Sequence, residues 1–276
     1  MSATLIQLHI ELTNRCNLNC IMCYRQEMKV PKGEMDPSLF MKIVNQISCI
    51  DSIDKVFLHW RGEPTCCTYL NDAVEILCKK NIKVILFTNG ILFDKTIAKQ
   101  LIKAGVHSIF FSVEAITPEK YSQIRGSEQF NSLLENITNS IAVRNEIGAK
   151  THIKISTIIF DNNMSQIACF DDYWKNIVDD IEYHIDTRGS SLLSSVKKQC
   201  LWPYHGLFVS WNGLVSACCM DVNIAYPIGD LNKESILDVF CGSAVKRLRA
   251  SLNNGRPIGK CKTCIFFDYN NIRTYI

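Results

Sequence analysis

Thr13-Asn14-Arg15-Cys16-Asn17-Leu18-Asn19-Cys20-Ile21-Met22-Cys23-Tyr24 sets three cysteines at C-x3-C-x2-C spacing, directly behind an apolar run at residues 5–12. The run reads as a strand, so the cysteines share one short loop at a strand end. Three thiolates on such a loop can converge on one soft metal centre. The odd number matters. A four-iron cubane held by three protein thiolates keeps one iron open for a substrate or cofactor. A structural zinc site takes four ligands, commonly from paired C-x2-C knuckles, which this spacing does not supply. Three buried thiols gathered by chance would not explain why all three sit on one loop.

Outward from that loop, apolar runs alternate with helix-like stretches. Strands are expected at 55–59, 83–87, 108–113, 150–160 and 181–185. Helices are expected at 37–47, 70–79, 95–104, 119–124, 130–147 and 164–178. Six strand-then-helix units predict an α/β chain with a parallel sheet and crossover helices. Polar and glycine-containing clusters follow the strands, where such folds place their chemistry. The rhythm changes near Gly189-Ser190-Ser191, which reads as a linker. Beyond it, residues 207–211 and 214–218 form an expected β-hairpin around a two-residue Asn212-Gly213 turn. Helices follow at 234–241 and 244–252. Two domains are expected, residues 1–189 and 190–276.

The 276 residues are 47% apolar and 21% charged, with a formal net charge of +3. Such a chain buries a full core without staples. So small a net charge carries no electrostatic footprint for nucleic acid or an acidic membrane. No apolar stretch is long enough for a spanning helix, and residues 1–12 lack the regions of a signal peptide. The 14 cysteines stand out. In a long chain without an export signal they point to metal or catalysis in a reducing cytoplasm rather than to a disulfide scaffold.

The cysteine loop resembles that of the radical S-adenosylmethionine (radical SAM) enzymes. The resemblance covers about residues 5–185. It implies a partial (β/α)6 barrel and a 4Fe–4S cluster on Cys16, Cys20 and Cys23, whose open iron chelates S-adenosylmethionine. Reductive cleavage then yields a 5′-deoxyadenosyl radical, which abstracts hydrogen from an unactivated C–H bond. Gly62-Glu63-Pro64 matches the family's Gly-Glu-Pro motif, in which Gly62 lets the backbone approach and Glu63 receives the methionyl ammonium. Thr88 and Asn89, with Gly90, end the third strand near the ligand. Ser112 and Glu114 end the fourth, where ribose and methionyl contacts are expected. Arg125 of Arg125-Gly126, after Tyr121, would take the carboxylate, a bidentate role that lysine serves less well. Met22 stands where the family usually has an aromatic residue, and Trp60-Arg61 where small residues are common. These departures bear on adenine packing and remove no cluster ligand.

Gly213-x4-Cys218 and Cys261-x2-Cys264 resemble the twitch domain, the short relative of the SPASM extension. The resemblance implies one auxiliary 4Fe–4S cluster on Cys200, Cys218, Cys261 and Cys264, in a small α+β domain of a hairpin plus helices. A zinc ribbon is the competing reading of the C-x2-C pair. Cys219, beside a ligand on a strand, is expected to point away from it. Asp221 reads as a hairpin-end residue. Cys49, Cys66, Cys67, Cys78, Cys169 and Cys241 read as small buried hydrophobes. Cys66, Cys67 and Cys219 are also candidate hydrogen donors, should the reaction be an epimerisation.

The plan resembles that of a family member that dehydrogenates an aminocyclitol. Oxidation of a small polar carbinol is therefore favoured, the auxiliary cluster taking the second electron and Arg188 the hydroxyl proton. His184 and His205 are the other candidate bases. Modification of a ribosomal peptide is the alternative, and a non-catalytic metal-binding protein the reading of another class. The implied partners are a small-molecule or peptide substrate and a flavodoxin- or ferredoxin-type electron donor, with neither nucleic acid nor membrane.

Overall fold

The computed structural model describes residues 3–186 and 200–264. Strands β1 (Gln7–Ile10), β2 (Lys55–Phe57), β3 (Lys83–Thr88), β4 (Ser108–Ser112), β5 (His152–Ile159) and β6 (Asp180–Ile185) lie side by side in chain order, all parallel. Parallel neighbours require crossovers. Helices fill them: α1 (Pro37–Ile47), α2 (Leu70–Lys79), α3 (Lys95–Ala104), α4 (Pro118–Arg125), α5 (Phe130–Ile147) and α6 (Ile167–Trp174). Their starts are written locally. The Asp36 carboxylate accepts from Ser38 N ahead of Pro37, Asp94 accepts from Ile97 N, and Thr117 accepts from Lys120 N ahead of Pro118. Helix α2 buries Leu70, Ala73, Val74 and Leu77, one stripe at helical spacing.

The sheet separates two apolar regions. Its outer face, including Leu8, Val56, Leu86, Ile109 and Ile155, packs with the helices in one large core. Its inner face holds a second cluster of Phe57, Ile85 and Phe110, with Phe87 packed against it. Phe87 and Phe110 stack at 4.3 Å, and His9 stacks on Phe57 at 4.4 Å and on Phe208 at 4.3 Å. The barrel interior is thus plugged by aromatic rings, and the loops after the strands rise above the plug.

After the undescribed residues 187–199 come the short helix α7 (Trp202–His205) and strands β7 (Gly206–Val209), β8 (Leu214–Ser216) and β9 (Gly229–Asp230). Strand β7 runs parallel to β1, pairing Gln7 with Gly206 and His9 with Phe208. Strands β8 and β9 add antiparallel beyond it, so nine strands form one sheet, ordered 6-5-4-3-2-1-7-8-9. Helices α8 (Ile236–Phe240) and α9 (Ser243–Asn253) complete this part. The expected linker and domain boundary fall among residues outside the described ones.

Three expectations need correction. The hairpin turn is not centred on Asn212-Gly213: Gly213 N donates to Ser210 O at 2.9 Å, so Trp211 and Asn212 are the central pair. Gly213 follows at φ +87°, the left-handed residue of a turn-plus-bulge connection. The helix expected at 164–178 splits into a 3-10 turn at Met164–Gln166 and α6, which ends at Trp174. Cys49, Cys169 and Cys241 are exposed, Cys66 and Cys78 half-buried, and only Cys67 of that group is buried. Phe170 and Trp174 take the buried face of α6, while Cys49 and Cys241 sit at helix ends.

Ile109, fully buried on β4, tests the outer core. Ile109→Ala should cost about 3 kcal/mol in anaerobic urea unfolding followed by circular dichroism. A loss below about 1 kcal/mol would show that this face is not close-packed.

Candidate active site

The loop after β1 is clamped by its own polar side chains. Thr13 Oγ1 donates to Gly33 O at 2.8 Å. Asn14, fully buried, donates to Pro31 O and accepts from Gly33 N, both at 2.8 Å. Held in this way, Cys16, Cys20 and Cys23 line one cavity of about 450 Å³. Leu18 N donates to Cys16 Sγ at 3.4 Å and Arg125 Nη1 to Cys20 Sγ at 3.5 Å. Burial raises the Cys16 thiol to about 11. It raises Cys20 also, against the pull of Arg125. Cys16 feels the charge of Cys20, and Cys20 that of Cys23, so the three are neighbours. Among the described residues, no three His, Cys, Asp or Glu side chains gather tightly enough for a single metal ion. Thiolates on separate corners of a cubane need no such common point. A sulfur set facing a cavity, with N–H donors on its sulfurs, fits an iron–sulfur cluster.

Glu63 sits in a socket. A Cβ on Gly62 would lie 2.1 Å from Thr13 O and 2.7 Å from Arg15 O, so only glycine lets β2 approach the cysteine loop here. Glu63 N donates to Arg15 O at 2.8 Å, and buried Pro64 opens a 3-10 turn behind it. The Glu63 carboxylate accepts from Thr65 N and Oγ1, Thr88 Oγ1 and Asn89 N, at 2.7–3.1 Å. All four donors are neutral, and burial still raises its pKa despite them. Asn89 also reaches Asn17 Oδ1 at 2.8 Å. Across the cavity, Arg125 pairs with Glu114 and donates to Ser112 O at 2.7 Å, leaving its buried Nε without a hydrogen bond. Burial raises Glu114, against Arg125. Met22, Ser112, Glu114 and Arg125 all face the same cavity.

The second cysteine set also gathers. Cys200 feels the charges of Cys218, Cys264 and Cys261, and Cys261 those of Cys218 and Cys264. Burial first, then these neighbours, raise Cys200 and Cys261 to about 12. The expectation that Cys219 points away from Cys218 is overturned. Strand β8 stops at Ser216, so alternation no longer applies, and the Cys218 and Cys219 thiols share a hydrogen bond. Cys219 lines the cavity with Met220 and Val222. Asp221, buried, accepts from Ala225 N at 2.9 Å and Tyr226 N at 3.0 Å, a structural role.

Other candidates scatter. Arg188 lies outside the described residues. Cys67 is core-packed, and neither it nor Cys66 lines the cavity; Cys66 Sγ lies 4.0 Å from Asn17 Oδ1. His205 is bonded to Thr4 O at 3.1 Å, away from the cavity, whereas His184 lines it. Sequence reasoning missed Glu11 and His59, and it singled out Trp60 and Arg61 only as departures bearing on adenine packing, not for the contacts they make. Glu11 is fully buried and forms an ion pair with Arg61. Arg61 Nε donates to Glu11 Oε1 at 2.7 Å and Nη1 to Val222 O at 2.9 Å, and Trp60 Nε1 donates to Cys219 O at 2.8 Å. For His59 a signal existed: in the strand expected at 55–59 it stands two residues from inward-facing Phe57 and so on the same face.

The SPASM iron–sulfur cluster-binding domain model matches residues 200–265. The chain is 28% identical over 171 residues to the tungsten-containing aldehyde ferredoxin oxidoreductase cofactor-modifying protein of Pyrococcus furiosus. That match covers 62% of this chain, which spans about half, 48%, of that protein's length. It is 22% identical over 267 residues to the S-adenosyl-L-methionine-dependent 2-deoxy-scyllo-inosamine dehydrogenase of Niallia circulans, covering 93% and 91% of the two chains. The crystal structure of BtrN in complex with AdoMet and 2-DOIA shares the fold, with a TM-score of 0.63 at 18% identity over 99% of this chain and 95% of that one. The Radical SAM superfamily model matches residues 10–161, more than half of the 276 residues, and the chain belongs to that superfamily.

Proposed function

We propose that the chain oxidises a carbinol of a small polar molecule such as an aminocyclitol, in a core of residues 1–189 joined to an auxiliary unit of residues 190–276. The observation that carries this reading is one cavity lined both by the first cysteine set and by Cys219, Met220 and Val222, which follow Cys218 of the second set. The near full-length similarity to the inosamine dehydrogenase supports it. A Radical SAM domain implies S-adenosylmethionine and one 4Fe–4S cluster, and a SPASM domain implies an auxiliary cluster. Together these groups supply hydrogen-atom abstraction and an acceptor for the second electron. A flavodoxin- or ferredoxin-type donor would provide the priming electron, in a reducing compartment that suits 14 free thiols.

The protein's own part is binding and orientation. Cys16, Cys20 and Cys23 hold the first cluster, and Cys200, Cys218, Cys261 and Cys264 the second. Glu63, surrounded by neutral donors, receives the cofactor's ammonium, which supplies the missing positive charge. Arg125, steadied by Glu114, has its Nε left to meet a carboxylate. Gly62 and Pro64 shape the strand end, and Met22, Thr88, Asn89 and Ser112 line the cofactor's berth. Cys219, the one candidate thiol on the cavity wall, favours a second reading, redox-neutral epimerisation.

Anaerobically reconstituted protein should hold about eight irons, and Cys16→Ala/Cys20→Ala/Cys23→Ala about four. A wild-type value near four with stoichiometric zinc would contradict the auxiliary-cluster assignment. Glu63→Gln should weaken S-adenosylmethionine binding in equilibrium dialysis by tenfold or more, on the order of the loss of one charge-assisted hydrogen bond. Undiminished affinity would remove Glu63 from the site. With 2-deoxy-scyllo-inosamine as probe in heavy water, oxidation yields a ketone with no solvent label at the reacting carbon. One deuterium at an inverted carbon, lost in Cys219→Ala, would establish epimerisation instead.

A further inference from the structure

Two imidazoles face the cavity from opposite parts of the sheet, His59 just beyond β2 and His184 on β6. They are close enough that His59 feels the charge of His184. His59 is half-buried. Its ring lies 4.4 Å from Phe87, 5.5 Å edge-on from His9 and 5.9 Å from Phe57, so it rests on the aromatic plug of the barrel. Its Nδ1 is buried without a hydrogen-bond partner. With Nδ1 sealed against the plug, Nε2 is the ring nitrogen left to meet a ligand.

We propose that His59 is a specificity-determining residue, its imidazole hydrogen-bonding an uncharged hydroxyl of the substrate at the inner end of the cavity. The assignment rests on the carbinol reading above. Burial, and His184 second, hold the His59 ring neutral, at about 3. Burial likewise lowers His184. With Nδ1 sealed, the neutral ring presents through Nε2 one donor or one acceptor according to its tautomer, and a hydroxyl can answer either. A carboxylate or phosphate would call for an imidazolium, which the surroundings oppose. The two buried arginines of the wall are taken, Arg61 by Glu11, and Arg125 by Glu114 and, in the reading above, the cofactor's carboxylate. A site built to hydrogen-bond a hydroxyl rejects an analogue that lacks it far more strongly than an apolar pocket discriminates by shape.

The test uses holoenzyme with S-adenosylmethionine, a reductant and 2-deoxy-scyllo-inosamine deuterated at its carbinol carbons. It reads deuterium in 5′-deoxyadenosine, together with KM and kcat for ketone formation. His59→Phe should raise KM at least tenfold while lowering kcat by less. His59→Gln, whose amide can replace Nε2, should stay within about threefold of wild type. Iron content and melting temperature serve as controls for folding. A wild-type KM in His59→Phe, a failure of Gln to rescue, or a fall of KM effect and iron content together would overturn the assignment while leaving the carbinol reading intact. Wild-type enzyme that takes no deuterium from the probe would overturn the carbinol reading, and His59's role with it.

Discussion

The Glu11–Arg61 ion pair is the constraint around which both halves of the molecule are arranged. Its side chains are 0% and 2% exposed. Glu11 stands between β1 and the first cysteine loop; Arg61 stands between β2 and the Gly62-Glu63 socket. The guanidinium also holds Val222 O, and Glu11 Oε2 accepts from Trp211 N at 3.3 Å. One buried pair therefore fixes the cysteine loop, the cofactor socket, the hairpin turn and the segment beyond Cys219 relative to one another. Trp60 strengthens the joint: its indole donates to Cys219 O, and its ring carries the Arg61 guanidinium at 4.3 Å. A pair so buried adds little net stability over apolar residues of the same size, but removing one partner strands the other charge. Its value here is geometric, since both cysteine sets are registered against the same two side chains.

The division of the apolar core into an outer shell and an inner plug lets one sheet do two jobs. The outer face needs close packing against helices and is built of aliphatic side chains. The inner face carries rings that fill the barrel with few chain atoms, and it ends in polar groups, His59, Ser156 and His184, where the cavity begins. The change from aromatic to polar at the end of β2 takes only the step from Phe57 to His59, just beyond it. On the cavity wall the two buried arginines each face a buried carboxylate, whereas Glu63 is held by neutral donors alone.

Elements whose ends are written locally were readable from the chain. Helices α1, α2, α3 and α5 fall at their expected residues, because periodic stripes and, for α1 and α3, Asp caps specify them within a few positions. The cysteine spacings and Gly-Glu-Pro were readable for the same reason. Features that depend on distant contacts were not. The hairpin turn shifted by one residue because Gly213, not Asn212, takes the left-handed conformation beside Asn232. Cys219 turned toward Cys218 because β8 ends early, at Ser216. Cys49, Cys169 and Cys241 are exposed because neighbouring aromatics and helix ends, not thiol hydrophobicity, decide those positions. Glu11 and Arg61 carry no local mark of their pairing, which exists only once β1 and β2 lie side by side.

The parallel pairing of β1 with β7 also bears on how the chain is made. Residue 7 meets its partner only when residue 206 has left the ribosome, so one edge of β1 stays open through most of synthesis. An open strand edge with apolar neighbours invites intermolecular pairing, and contacts this distant in sequence form slowly. The five later parallel strands can assemble on the other edge in the order they emerge. The barrel can thus fold progressively, while the joint that unites both cysteine sets closes last.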